Sequence, residues 1–489
     1  MKFAAVGDAL ILRRIPETYP GFEAVRDWIS EADAKYFNLE TTLHREGECY
    51  AFATNGGSYL RSEPEVLEDC KRYGFNMTSF CNNHTMDFAF DGLTKTIDHV
   101  NASGLVHAGV GRNLDQAAAP AYLEAVGGRI AMIAMTTSCN MDYNNIGIAG
   151  QQARRVPGRP GVNQLRYKET IIVTPEQMKV IKQIAEQTHV NAAEDISRRE
   201  GYRDPLPEDE CPITKYVNFK EGPEPKYQAL CDKRDLARLE KAILEAQLQA
   251  DYIILSIHSH QVSGTSKESP SDYLQECAKF AIDHGCDAVI GHGPHLLRPV
   301  EIYKGKPIFY SLGDFILNNE NIPYSPEDYY EPKGMTSDGT MHELFRKRSA
   351  NFTRGLQTDR KMFESVIPRW EMDENGKLVK LEMLAIELGF GLPRSRGGMP
   401  APAADGTERK LSFMECFKFK QTWAFAVGKF FTDGVWWFYL FWAPAYFSDQ
   451  YGYSSSSSMG IMLIFTLYLI VTILSLYGGY LPKLFVEKQ

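Results

Sequence analysis

Five apolar runs between Phe3 and His295 each end on a side chain able to bind a metal ion or carry a proton. That repetition restricts the fold more than any other feature. Phe3-Ala4-Ala5-Val6 runs into Gly7-Asp8, Ala34 to Leu39 into Glu40, and Phe75 to Phe80 into Asn82-Asn83-His84. Tyr252 to Ile257 ends at His258, and Ala288-Val289-Ile290 leads into Gly291-His292-Gly293-Pro294-His295. Short continuous apolar runs bounded by turn residues read as buried parallel strands. Helical patterns lie between them over Pro64 to Tyr73, Leu93 to Ala102, Leu236 to Gln249 and Tyr273 to Asp283, and two further strands are expected over Ile130 to Met135 and Pro307 to Leu312. Strand and helix in alternation mean an α/β fold whose sheet is covered by helices. Ligands in such folds bind outside the carboxyl ends of the strands, where the polar residues of all five runs fall.

Composition narrows the function classes. The chain has 489 residues, 44% hydrophobic and 24% charged, enough for a large core, and its formal net charge is -9. With no dense Lys/Arg tract before the tail, nucleic acid is not an expected partner. Nine cysteines are scattered without CxxC spacing, which fits a reducing compartment. Met1-Lys2 leads straight into the first strand, so no secretory signal is expected.

The composition changes near residue 405, dividing the chain into a 1–404 domain, a 405–420 linker and a 421–489 tail. Residues 140–232 interrupt the alternation with a stretch rich in Arg, Gly and Pro. One helix there is signalled by Thr174-Pro175-Glu176-Gln177, a capping box with Pro in the first turn. The segment is expected to be an insertion or lid whose Arg159 and Arg166 meet an anionic substrate. In the tail, Trp423 to Phe447 and Met459 to Leu481 are each long enough to cross a bilayer, which takes about 20 helical residues. Lys and Arg flank this pair but are absent from its connector, which predicts a transmembrane hairpin in the cytoplasmic membrane with the large domain on the cytoplasmic side.

The polar strand ends themselves argue for a metal site. A lone Asp8 would be read as a turn cap. Asp8, Glu40, Asn83, His258, His292 and His295 converging from successive strand ends offer mixed nitrogen and oxygen ligands, as a metal hydrolase needs. His260 is expected to face away from His258 and to be structural, and Gly313-Asp314 is read as a turn or a loop near the site.

Asn38-Leu39-Glu40-Thr41, Asn82-Asn83-His84, Gly291-His292-Gly293-Pro294-His295 and Tyr310-Ser311-Leu312-Gly313-Asp314-Phe315, in this order, resemble the CapA family, named for poly-γ-glutamate capsule synthesis. The resemblance implies a calcineurin-like metallophosphoesterase fold, a four-layer α/β/β/α sandwich, over residues 1 to 404. It implies Asp8 and His295 on one metal, Asn83, His258 and His292 on the other, and Glu40 bridging. It further implies a metal-bound hydroxide attacking a phosphate ester, His84 as proton donor to the leaving oxygen, and Asp87 orienting His84. One or two divalent ions, Mn, Fe or Zn, suit this donor set. Leu10 stands where such enzymes generally carry a histidine two residues after the first aspartate, and Asp314 where the family commonly has Asn. Lys429 to Pro444 resembles part of a major facilitator transporter of the hexuronate type. Three functions follow as expectations. The first is a membrane-tethered metallohydrolase of an anionic small molecule or polymer. The second is a non-hydrolytic component of poly-γ-glutamate synthesis or export, and the third is a transporter fragment fused to a CapA domain.

Overall fold

The structure is a computed structural model that describes residues 1–138, 147–214, 217–318, 322–392, 396–403, 442, 444–454 and 456–478. The chain divides into two compact units, Met1–Ala403 and Ala404–Gln489.

The first unit is built on two large sheets. One is eight-stranded, in the order Ala401–Pro402, Leu378–Glu387, Glu364–Met372, Lys2–Leu10, Ala34–Leu39, Met77–Ser79, Val106–Ala108, with Asp314–Leu317 also paired to Lys2–Leu10. Its half running from Lys2–Leu10 to Val106–Ala108 is parallel. The other is six-stranded, in the order Val300–Tyr303, Lys306–Phe309, Ala288–His292, Tyr252–His258, Gly128–Thr136, Ala121–Ala125, with a parallel centre and antiparallel edges.

Side-chain alternation along the strands stacks the layers. Ile130, Met132 and Ala134 join Tyr252, Ile254 and Ile290 in a core shared with Phe3, Ala5 and Tyr36 of the first sheet. Their neighbours Ala131, Ile133, Ile253, Leu255 and Val289 pack the other way, against the helices Lys233–Gln247 and Asp272–His284. With period two along a strand, each residue of the second sheet faces either the first sheet or the helices. The first sheet is covered on its far side by Phe22–Ser30, Val66–Arg72 and Ala89–Ser103, through Val25, Ile29, Leu67, Leu93 and Ile97. The layers are therefore helices, sheet, sheet, helices. Aromatic packing closes the middle, with Phe3 stacked on Trp370 at 5.2 Å and Phe309 tilted against Trp370 at 5.3 Å.

Two expectations change. The run Pro307 to Leu312 is not one strand. Lys306–Phe309 lies in the second sheet and Asp314–Leu317 in the first, so the chain crosses between sheets through Tyr310 to Gly313. Gly313 turns there with φ +74, and its carbonyl accepts from Asp8 N at 3.1 Å. A residue at position 7 with a side chain would place its Cβ 1.8 Å from that same oxygen, so glycine is obligatory at this crossing. The 140–232 insertion is also more regular than its composition suggests. It carries a four-stranded sheet, Glu210–Ile213, Val217–Glu221, Tyr167–Val173, Lys226–Cys231, and the helices Pro175–Thr188 and Ala192–Arg199. The capping box at Thr174 and Gln177 forms as expected. Tyr167 stacks on Tyr273 at 4.2 Å, which fixes this sheet to a helix of the main body.

The membrane expectation is overturned. Among the described residues no helix is long and apolar enough to cross a membrane. The first expected span lies mostly outside the described residues, as does the facilitator-like segment before Trp442. Neither the transmembrane hairpin nor the cytoplasmic-membrane placement is retained.

Candidate metal centre

The expected ligands sit at or just past strand ends, apart from Asp8, which lies two residues inside its strand. Asp8 lies at a register break, where the pairing of Lys2–Leu10 with both neighbours shifts. That break turns its carboxylate toward Asn38, whose Nδ2 donates at 2.8 Å, and toward Gly293, whose backbone N donates at 2.8 Å. Glu40 follows Ala34–Leu39 directly, and Asn83 and His84 follow Met77–Ser79. His258 and His292 are the last residues of adjacent parallel strands and are paired in register. His295 is held in the left-handed region at φ +59, unusual for a residue with a Cβ. Thus the first sheet supplies Asp8, Glu40 and Asn83, and the second supplies His258, His292 and His295.

The nitrogens and oxygens meet. His292 Nδ1 lies 3.4 Å from Asp8 Oδ1 and 2.9 Å from His258 Nδ1. The far nitrogen of His292 is taken up by Tyr36 Oη and Ser256 Oγ, both 3.0 Å away, so Nδ1 is the atom left to face the centre. Around Glu40 Oε1 stand three Nε2 atoms, of His295 at 3.8 Å, His84 at 3.9 Å and His258 at 4.0 Å. None of these reaches hydrogen-bond distance. Both Glu40 oxygens are buried with no partner, and so are Asn83 Oδ1 and Asp314 Oδ2. Ligand atoms each about 2.0–2.2 Å from one ion lie roughly 3–4 Å apart, the spacing found here. Three overlapping sets qualify as cation sites: Asp8, His258 and His292; Asp8, Glu40 and His295; and Glu40, His258 and His260. A buried carboxylate without proton donors, Glu40, beside imidazole nitrogens is a donor set a divalent cation fits.

Electrostatics point the same way. Burial alone would raise the Asp8 carboxyl, but the bond and charge of His292, with His258 and His295, hold it below the usual carboxylate range. Glu40 is pushed well up by burial and by its neighbours Asp8 and Asp314. Burial also drives His258 and His260 well below the ordinary imidazole value, leaving neutral rings. Burial, partly offset by His295, pushes Asp314 up to about 6. His295 moves up despite burial, because Asp314 accepts from its Nδ1 side at 2.8 Å. His84 Nδ1 lies 2.7 Å from Asp87 Oδ2, and the Asp87 carboxylate also accepts from Gly56 N and Leu60 N. That anchoring aims Nε2 of His84 at the Glu40 side.

The two arginines expected in the lid have other partners. Arg166 makes a two-pronged bond to buried Asp235, at 2.8 and 2.6 Å, and Arg238 shares that carboxylate. Arg159 is exposed, and its Nε donates to Ile148 O at 3.1 Å. Three further residues join the site's surroundings, of which the sequence alone places only Asp314 nearby. His260 Nε2 lies 3.0 Å from His258 Nε2, because residues two apart on extended chain share a face and the strand itself stops at His258. Asp314 braces His295. Arg298 is buried and donates to the carbonyls of Ser259, His260, Gln261 and Lys267, pinning the loop after His258. Of these, His260 carried a signal in the His-Ser-His spacing and Asp314 in the Gly313-Asp314 turn expected near the site, while Arg298 carried none.

Comparison with known proteins shows the family. The sequence profile described as "Bacterial capsule synthesis protein PGA_cap" matches residues 2–319. An uncharacterized protein of Sinorhizobium fredii is 31% identical over 411 residues, covering 82% of this chain and 85% of its own. A probable polyglutamine synthesis accessory protein of Mycobacterium tuberculosis is 27% identical over 290 residues, 59% of this chain and 57% of its own. The capsule biosynthesis protein CapA of Bacillus anthracis is 22% identical over 319 residues, 64% of this chain and 59% of its own. Among solved structures, a 5'-nucleotidase precursor from Thermus thermophilus aligns with TM-score 0.33 at 10% identity, over 79% of this chain and 54% of its own, about half its length. These relatives lend no support to the facilitator resemblance of the tail.

Proposed function

The chain belongs to the bacterial capsule synthesis family PGA_cap, and from that premise we propose that it is a metal-dependent hydrolase acting on a phosphate ester. One observation carries the reading. Glu40, fully buried with both oxygens unpartnered, is ringed by three imidazole nitrogens at 3.8–4.0 Å. Asp8, Glu40, Asn83, His258, His292 and His295 would hold one or two divalent ions of the Mn, Fe or Zn class. When bound, such ions supply positive charge to the oxygens of a phosphoryl group. The chain's own residues do the rest. His84, oriented by Asp87, presents Nε2 to the centre and delivers a proton to the leaving oxygen, a contribution worth about 10²–10⁴ in rate. Tyr36 and Ser256 lock the His292 ring so that Nδ1 faces Asp8. Gly293 N and Asn38 hold the Asp8 carboxylate in place.

The test is elemental analysis of the purified chain, coupled to hydrolysis of an aryl phosphate. Wild type should take up stoichiometric metal and turn over. His292→Ala should lose both, and His84→Ala should keep the metal while losing about 10²–10⁴ in rate. A wild-type chain that binds no metal ends this reading. A second reading is favoured by the names of relatives linked to capsule and polyglutamine synthesis. In it the same centre binds an anionic polymer, poly-γ-glutamate, without turnover. Metal-dependent retention on immobilised polymer with no phosphatase activity would support it.

A further inference from the structure

We propose that His260 is itself a metal ligand, giving the Glu40-centred position a second imidazole beside His258. The inference rests on the proposed metal centre and specifies one of its positions. His258 has a nitrogen on each side. Its Nδ1 faces Asp8 and His292, and its Nε2 faces Glu40 and His260. A neutral imidazole has one lone pair for a cation, so His258 serves one side at a time. The two sides are not equally supplied. Asp8 already accepts from Asn38 and from Gly293 N, whereas both Glu40 oxygens have no donor at all. The carboxylate oxygens left without any donor are on the Glu40 side, where a cation gains most.

On that side the nitrogen of His260 converges with that of His258 at 3.0 Å, and its ring lies 5.4 Å from that of His295. Glu40, His258 and His260 offer three atoms within 4.8 Å of one another. The loop carrying His260 is built for fixed placement. Its backbone N donates to Ser138 Oγ at 3.4 Å, and its carbonyl accepts from buried Arg298. A surface histidine would need neither anchor. The competing arrangement is an N–H···N bond in which His260 only orients His258.

Counting metal-bound histidine nitrogens separates the two. The full chain, labelled with ¹⁵N-histidine and loaded with Mn(II), is compared by pulsed EPR with His260→Gln and His260→Asn. The proposal expects one fewer coupled nitrogen in both variants and at least a 10-fold rise in the Mn(II) dissociation constant measured by calorimetry. An unchanged nitrogen count with an affinity within two-fold of wild type overturns it. Should both variants fail to fold, metal-edge anomalous diffraction on wild type decides the matter: a His260 nitrogen bound to the ion upholds the proposal, and one out of reach overturns it. If wild type binds no Mn(II), Fe(II) or Zn(II), the metal centre itself falls. If wild type binds metal and the variants match it, only the role of His260 falls.

Discussion

Replacing Glu40 with Gln should make the metal-free protein more stable while abolishing its response to metal. The carboxylate is fully buried, both oxygens lack a donor, and its neighbours include Asp8 and Asp314. That setting pushes the carboxyl well up, so at neutral pH it must hold a proton far above the ordinary carboxylate range, which costs a few kcal/mol. A neutral amide of the same shape, left unpaired, costs about 1–3 kcal/mol. The difference favours Gln by roughly 1–3 kcal/mol in chelator at neutral pH. For a unit spanning Met1–Ala403, an unfolding entropy of about 2.1 cal/mol/K per residue converts this to a Tm rise of roughly 1–4 °C. Metal reverses the order. At a free concentration of about 1,000 times Kd, binding adds ~4 kcal/mol to wild type, or roughly 5 °C on the same scale. The variant should gain almost nothing. Thermal scans with EDTA and with Mn(II) or Zn(II) read both effects. A Glu40→Gln protein that melts below wild type in EDTA, or keeps the full metal shift, would refute the argument that this carboxylate waits for a cation.

Removing the buried carboxylate with Asp235→Asn should cost about 2–4 kcal/mol in denaturant unfolding, discounted because Arg166 is partly exposed, and leave metal content unchanged. Burial raises the Asp235 carboxyl but Arg166 and Arg238 hold it below its ordinary value, so its contribution is complete above the ordinary carboxylate range and lost as pH falls through the folded value; the gap to the variant should close below about pH 4. Gly7→Ala puts a Cβ 1.8 Å from Gly313 O, so a loss of at least about 3 kcal/mol or insoluble expression is expected, checked by solubility and circular dichroism. Arg298→Lys breaks the fork that holds the loop after His258; metal affinity by calorimetry should fall about 10–100-fold with the Tm in EDTA lowered by only a few degrees.

The fold was legible where burial is two-sided. Ile130 to Met135 throughout, and Tyr252 to Ile257 apart from Ser256, are apolar because one face meets a sheet and the other helices, and both are strands as expected. The crossing at Tyr310 to Gly313 was not legible, because one apolar run feeds two sheets and only tertiary packing says where it divides. The insertion was read as irregular because its strands are short and half-exposed, so neither period two nor a continuous apolar run stands out. For the site, residues at strand ends could be found from the pattern alone. Arg166 could not, since a basic residue in a loop looks the same whether it awaits an anion or is already paired with Asp235. His260 was misread by geometry, since two positions along extended chain return to the same side.

Why the donors converge follows from which layers they come from. Asp8, Glu40 and Asn83 belong to one sheet and the histidines to the other, so no single sheet fixes the distances between them. Their separation is set by the shared core, through Phe3, Tyr252, Phe309 and Trp370, and by bonds that span the sheets at the site itself. Tyr36 reaches from the first sheet to His292 and Ser256 of the second, and Gly293 N reaches back to Asp8. Sliding one sheet by a single ångström would break these bonds and move imidazole nitrogens out of the 3.8–4.0 Å shell around Glu40. Tyr36→Phe keeps the packing and removes only the hydroxyl that links the sheets. It should therefore leave the fold intact and weaken metal affinity by about 10-fold, because the His292 ring loses one of its two anchors. An affinity unchanged in Tyr36→Phe would mean that core packing alone positions the two halves of the centre.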